Sequence, residues 1–326
     1  MMKSFLRTVL VQNRAEAADR SFQEDLPVNP LSMILFTLRA QNAAAITTGN
    51  LSTLAAMITS LGVVFRGQDV IRGSLTDLAY LMACVTGMVP WGVRSTAADD
   101  AFISVTFPLC LGRRPFNTDE CFPATRRGDL ILDCTIDVAI TQFDTPVLQI
   151  ETVELLDAKP GAFMKATTLS HTMASTGQDS VRLPIGNPLL GALLFATTVP
   201  TISARTSTWE QMRVKVDNVE YGYAKTNWDT VHGELVRRIR NDMAFLSSHT
   251  HQYDGSSGGT AVSSAEVGIG LADASYGYLD FDPDSSGEWA IDTAGRADVV
   301  IQRDSGVADA GRVIPVELVR VQAPAA

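Results

Sequence analysis

The same order of local signals occurs twice along this chain. Residues 61–83 read LGVVFRGQDVIRGSLTDLAYLMA, and residues 212–236 read MRVKVDNVEYGYAKTNWDTVHGELV. Each holds a short apolar strand, a polar turn (Arg66-Gly67-Gln68-Asp69; Asp217-Asn218), a second short strand and a helix start. Both helix starts carry capping-box spacing, Ser74-x-x-Asp77 and Thr226-x-x-Asp229, in which a hydroxyl accepts from an orphan N–H of the first turn. Further on, CFPATRRGDLILD (121–133) resembles WAIDTAGRADVVIQ (289–302), and VLQIETVELL (147–156) resembles RVIPVELVRV (312–321). A repeat this long is a duplicated domain and not a solenoid unit. The chain of 326 residues then divides into two domains of ordinary size, each able to bury its own core.

Strand signals fill both copies. In the first they are Met33–Leu38, Gly62–Phe65, Phe102–Leu111, Asp129–Ile140 and Val147–Leu156. In the second they are Phe163–Met173, Val181–Ile185, Leu189–Phe195, Met212–Val216, Val219–Tyr223, Tyr276–Phe281, Ala297–Ile301 and Arg312–Val321. They are rich in Val, Ile, Phe and Thr and are bounded by Gly, Pro and Asp. The first helix sets Leu75, Leu78, Met82 and Val85 on one face and stops at Gly87 and Pro90. The second sets Trp228, Val231, Leu235, Ile239 and Met243 in one stripe, and Trp228 is expected to anchor it to the core. The expected fold is mainly β: two tandem jelly-roll sandwiches with one helix in each, plus a short N-terminal helix. The expected domains are 1–28 (N-terminal helix and link), 29–157 and 158–326, with Ala158-Lys159-Pro160-Gly161 as the linker.

The N-terminal helix is read from Phe5, Leu6, Val9 and Leu10 on one side and Lys3, Arg7 and Arg14 on the other. Such a helix suits an anionic lipid surface, with Lys3, Phe5, Leu6, Arg7, Val9 and Leu10 facing the membrane, and equally suits packing on its own protein. It does not read as a signal peptide, because Arg7 interrupts the apolar stretch and Asn13-Arg14 replaces a small-residue cleavage site. No apolar run reaches the ~20 residues of a membrane span.

The formal charge of −10 argues against a dedicated nucleic-acid binder, which needs Lys and Arg against phosphates. Charged residues make up only 19% of the chain, which suits surface hidden in an oligomer. Cys84, Cys110, Cys121 and Cys134 form no CxxC pair and read as buried free thiols of a reducing compartment.

Signals for chemistry are sparse. The P-loop and the dinucleotide fingerprint are missing, and GSSGG (255–259), which has the letters of GxSxG, lies in a Gly- and Ser-rich loop and not at a strand-to-helix turn, so no enzyme and no cofactor is expected. His249-Thr250-His251 could ligate a metal, and three such loops on a threefold axis would supply an octahedral set. The plain alternative is a Gly- and Ser-rich solvent loop. A cupin site would need Glu where Gly255 and Ser256 stand. Asp280-x-Asp282-x-Asp284 begins like a calcium loop, but Ser285 and Ile291 occupy the Gly and acid positions, so it reads as a turn.

The blocks VVFRGQDVIRGSLTDL and RVKVDNVEYGYAKTNWDTVHGEL, with Trp228 after the second turn, resemble a known family. It is the double jelly-roll major capsid proteins of tailless icosahedral bacteriophages with an internal membrane, the corticovirus-like branch of the adenovirus lineage. The resemblance implies a structural virion protein whose homotrimers are pseudo-hexameric capsomers. It further implies neighbours in the lattice, penton and minor capsid proteins, inner-membrane lipid or protein beneath the N-terminal helix, and no direct nucleic acid. Location in the virion after assembly in the host cytoplasm follows from the same likeness. Alternative readings are a trimeric jelly-roll spike or receptor-binding protein and a tandem carbohydrate-binding module.

Overall fold

Buried residues alternate with partly exposed ones along Leu130–Ile136 and again along Val299–Ser305. A period of two is the pattern of a strand with one face on a core. The computed structural model describes residues 4–42, 51–93, 102–138, 143–172, 176–200, 204, 206–239, 250–252, 261–263 and 274–321. The chain divides into two compact units, one holding Met1–Met164, Asn241–Gly270 and Arg320–Ala326 and the other Lys165–Arg240 with Leu271–Val319.

The first unit contains β1 (Phe5–Ala15), β2 (Arg20–Asp25), β3 (Leu31–Asn42), α1 (Leu51–Ala56), β4 (Ile58–Phe65) and β5 (Gln68–Gly73). These are followed by α2 (Leu75–Thr86), β6 (Trp91–Val93), β7 (Phe102–Cys110), β8 (Leu130–Ile136) and β9 (Phe143–Leu155). One antiparallel sheet runs β1-β9-β3-β7-β6, and β5-β4-β8-β2 are neighbours in a second. Phe36 and Phe107 of the first sheet and Leu61 and Leu132 of the second are fully buried. The Ser74 hydroxyl caps α2 by accepting from Asp77 N–H at 3.1 Å, and Gly87 ends it in the left-handed region at φ 69°.

The strand β10 (Ala162–Thr167) carries the chain into the second unit. There follow β11 (Leu169–Thr172), β12 (Gly177–Arg182), β13 (Leu189–Ala196), β14 (Gln211–Val216), β15 (Val219–Glu220), β16 (Thr226–Asn227) and α3 (Trp228–Arg238). A short ribbon, assigned to the first unit, pairs β17 (Thr250–Gln252) with β18 (Ala261–Ser263). The chain closes with β19 (Tyr276–Asp280), β20 (Val299–Ser305) and β21 (Ala310–Arg320). One set of neighbours is β19-β13-β21 with β11 on β21; the other is β12-β20-β14-β15 with β16 on β14. Leu194, Leu279 and Val313 from the first set share a core with Val181, Val214 and Ile301 from the second, closed by Trp209 and Trp228.

Hydrogen bonds establish the duplication more firmly than the letters do. Leu31 and Phe122 exchange main-chain bonds of 2.9 Å, and Leu189 and Ile291 exchange bonds of 2.9 and 3.0 Å. Leu155 N–H donates to Pro30 O at 2.8 Å, and Leu318 N–H to Pro188 O at 2.9 Å. Arg66 N–H reaches Asp129 O at 2.8 Å, and Asp217 N–H reaches Asp298 O at 3.0 Å. The two hairpin turns also agree, with φ of 49° and 80° at Arg66-Gly67 and 50° and 66° at Asp217-Asn218. Two consecutive positive φ values make the turn that matches the twist of a two-residue hairpin.

Four expectations are corrected. The N-terminal segment is a strand and not an amphipathic helix, so 1–28 is no separate element: β1 pairs with β9 from Phe5 opposite Leu155 to Ala15 opposite Val147, and β2 pairs with β8. A helix this short is marginal in water, whereas a full-length ladder satisfies its backbone, and Thr8, Val9 and Val11 are β-branched. Thr226 does not cap α3; it lies in β16 opposite Met212, and the N-cap is Asn227 without a side-chain cap bond. The strand expected over Val219–Tyr223 ends at Glu220, because Tyr221 N–H and Tyr223 O both turn back to Val214 around Gly222 at φ 69°. The run Phe163–Met173 is two strands, β10 and β11.

Candidate assembly surfaces

Exposed apolar side chains held in fixed geometry are the surface features that most often mark contact with a partner. β1 is the last strand at its end of the sheet, and it leaves Phe5 59% exposed, with Leu6 and Val9 also exposed. Phe5 meets Phe116 edge-to-face at 5.5 Å between ring centroids. Phe116 is itself exposed and sits at φ 58°, and its N–H donates to Ser32 Oγ at 2.9 Å. A bulky residue in the left-handed region is strained and persists only where its surroundings hold it.

The surroundings are the loop ahead of it. Arg113 Nε bonds the Glu120 carboxylate at 3.1 and 2.9 Å. Gly112 lies so close that a Cβ on it would come within 2.1 Å of Glu120 O. Burial works to raise the pKa of the Glu120 carboxyl, and the hydrogen bonds and charge of Arg113 outweigh it, leaving the group below the usual carboxylate range. Among the described residues of the second unit, Ile185, Val219, Tyr221 and Trp289 are the exposed large apolar ones. Val219 and Tyr221 lie just past the Asp217-Asn218 turn.

The acidic run after β19 is a turn, and its carboxylates are already engaged. Arg238 Nε and Nη2 hold Asp280 at 2.7 and 2.6 Å, and Arg237 Nη2 reaches it at 3.1 Å. Gly287 N–H donates to Asp282 Oδ1 at 2.8 Å; Ser286 N–H and Trp289 Nε1–H donate to Asp284 at 3.0 and 3.2 Å. The Tyr223 hydroxyl accepts from Asp280 N–H at 2.8 Å and donates to Asp280 O at 3.2 Å, and burial pushes its pKa up to about 12. Arg237 and Arg238 of α3 therefore fasten that helix to β19.

Trp228 is 3% exposed in the core of the second unit, and its Nε1–H donates to Ala274 O at 3.2 Å. Of the residues expected to face a membrane, Lys3 lies outside the described residues, and Phe5, Leu6, Arg7, Val9 and Leu10 lie on β1. Arg7 forms an ion pair with Glu151 of β9. His249 lies outside the described residues; His251 is placed only by its backbone, opposite Val262 in the β17–β18 ribbon. His171 sits with Nε2 2.6 Å from Asp179 Oδ2 and joins β11 to β12. Among the described residues there is no group of three or more His, Cys, Asp or Glu side chains suited to a metal, and no helix long and apolar enough to cross a membrane.

Sequence reasoning missed a buried polar clasp that occurs in both units. Asn29 Nδ2 donates to Glu154 Oε2 at 2.7 Å, and Asn187 Nδ2 donates to Glu317 Oε2 at 2.8 Å. Both glutamates are 2% exposed. The signal was present as Asn-Pro-Leu at 29–31 and 187–189, with Val-Glu-Leu at 153–155 and 316–318.

Two antiparallel sandwiches in tandem, each carrying a helix after its hairpin, are a double jelly roll. Solved structures of viral coats share it across nearly the whole chain. The STIV major capsid protein is 14% identical, with 97% of each chain covered and a TM-score of 0.66. The major capsid protein of bacteriophage PM2 is 12% identical, with 98% of each chain covered and a TM-score of 0.57. The capsid of the PBCV-1 virus gives 9% identity, 97% of this chain and 94% of the other, and a TM-score of 0.59. Neither a protein-family model nor a curated protein matches the sequence.

Proposed function

We propose that this chain is a viral major capsid protein that builds an icosahedral shell from homotrimeric, pseudo-hexameric capsomers over an internal membrane. The observation that carries this reading is the duplication of main-chain bonds, turns and buried clasps between the two units. Three chains would then supply six near-equivalent sandwiches, so threefold closure gives a sixfold outline that tiles a facet. Its partners are further copies of itself, penton and minor capsid proteins, and lipid. Phe5, Leu6 and Val9 on β1 take over the membrane or neighbour contact expected of an N-terminal helix. The acidic charge fits a coat kept from the genome by lipid, and the chain works by packing, without catalysis on a substrate, in the virion after cytoplasmic assembly.

Light scattering and electron-microscopic class averages of the purified protein test this. The expected particle contains three chains and shows six lobes. A stable monomer at high concentration, or a dimer, overturns the proposal.

A further inference from the structure

The two clasps differ in one group. In the first unit the remaining oxygen of Glu154, Oε1, accepts from the Thr8 hydroxyl at 2.7 Å. In the second unit the remaining oxygen of Glu317, Oε1, faces Lys165 Nζ at 3.1 Å. A buried carboxylate thus holds a primary amine on one oxygen and a carboxamide on the other. The main chain that carries this carboxamide is well fixed. Thr293 Oγ1 donates to Asn187 O at 2.6 Å and accepts from Gly186 N–H at 2.8 Å, and Pro188 O is bonded by Leu318 N–H at 2.9 Å.

We propose that Lys165 and Asn187 form an intramolecular isopeptide bond, with Glu317 as the catalytic proton carrier. Glu317 takes one proton from the Lys165 ammonium, exchanging two charges at a buried site for two neutral groups. A half-turn of the carboxamide brings Oδ1 to the protonated carboxyl, which polarises the carbonyl. The neutral Nζ then attacks Cγ of Asn187. The departing amide nitrogen takes a second proton from Nζ and the proton held by Glu317, and leaves as ammonium. One C–N bond forms and one breaks, nothing is oxidised or reduced, and Glu317 returns to carboxylate. Holding amine and carboxamide on one carboxylate replaces a bimolecular encounter. Burial of Glu317 at 2% exposure excludes competing water, and the 32% exposure of the Lys165 side chain leaves the ammonium an exit.

The first unit is the internal control: its clasp has the same Asn–Glu pair but a hydroxyl in place of the amine. Asn187 is followed by Pro188, which has no N–H to close a succinimide, so ammonia loss at this residue requires another nucleophile.

The test is the intact mass of the full chain, unfolded after purification, with a peptide map. The expected chain is lighter by one ammonia, and the map contains one branched peptide joining Lys165 to Asn187. Lys165→Arg and Asn187→Ala should restore the full mass, while Asn29→Ala should leave the loss unchanged. Full mass in the folded wild-type chain, or an ammonia loss at Asn187 that survives Lys165→Arg, overturns the proposal. These readouts concern one chain and are independent of capsomer assembly.

Discussion

Gly277 of β19 and Trp228 of α3 are packed with no room for a methyl group between them. A Cβ on Gly277 would lie 3.1 Å from Trp228 Cη2 and Cζ3 and 3.0 Å from Val231 Cγ1. This is where the helix stripe meets the sheet, and both ends of the contact are pinned. His232 Nδ1 donates to Tyr276 O at 2.7 Å near the start of the helix, and Arg238 holds Asp280 at its end. A residue without a side chain in a strand often marks such a close approach.

Trp228→Ala is therefore expected to destabilise the second unit by about 3–5 kcal/mol, the usual cost of deleting a buried aromatic. Gly277→Val should cost about 1–3 kcal/mol by overpacking the same contact from the other side. Denaturant melts of both variants check this. A loss under about 1 kcal/mol for Trp228→Ala would mean that the stripe does not carry the core.

Acid should loosen the loop that presents Phe116. The folded Glu120 carboxyl lies below its ordinary range, so its contribution to stability is full above the unfolded value of about 4.3 and fades as pH falls through the folded value. Glu120→Gln removes that dependence. Stability measured from pH 7 downward should fall more steeply in the wild type than in the variant. Parallel curves would show that the Arg113–Glu120 pair does not hold the loop.

All four cysteines are free and buried. Burial pushes the thiols of Cys110 and Cys134 up to about 12 and that of Cys121 to about 11. The thiolate is the reactive species. Alkylation at neutral pH should leave these three unlabelled in the folded chain and label all of them in denaturant. Fast labelling of any one under native conditions would place it on an opening segment.

The features legible in the sequence were those encoded locally. Ser74 and Gly87 bound α2 because a cap needs only its own turn, and Arg66-Gly67 and Asp217-Asn218 make hairpins because φ preference is local. Three features were decided by partners far along the chain. Phe5–Ala15 has both an apolar face and β-branched residues, and pairing with β9 settles the choice. Thr226 has the right spacing for a cap, but β14 takes it into a sheet. Glu154 and Glu317 find their partners Asn29 and Asn187 only across the fold, far along the chain. The double jelly roll was legible because duplication repeated each local signal, whereas the surfaces were not, because exposure depends on the whole fold.

The corrected N-terminus changes what a truncation should do. A membrane-bound helix could be removed with the rest of the fold intact. Strand β1 cannot, because its removal strips β9 of a neighbour along Val147 to Leu155. It also removes Arg7 from Glu151 and the Thr8 hydroxyl from buried Glu154 Oε1, bonded at 2.7 Å. Leaving a buried acceptor unpaired costs about 1–3 kcal/mol, and an uncovered strand edge invites pairing with other chains. Deletion of residues 1–15 is therefore expected to lower the melting temperature, speed amide exchange along β9 and promote aggregation. Thr8→Val, which keeps the strand but removes the hydroxyl, should destabilise the chain without faster exchange at the β9 edge. A truncated chain that melts and exchanges like the full one would show that β9 does not depend on β1.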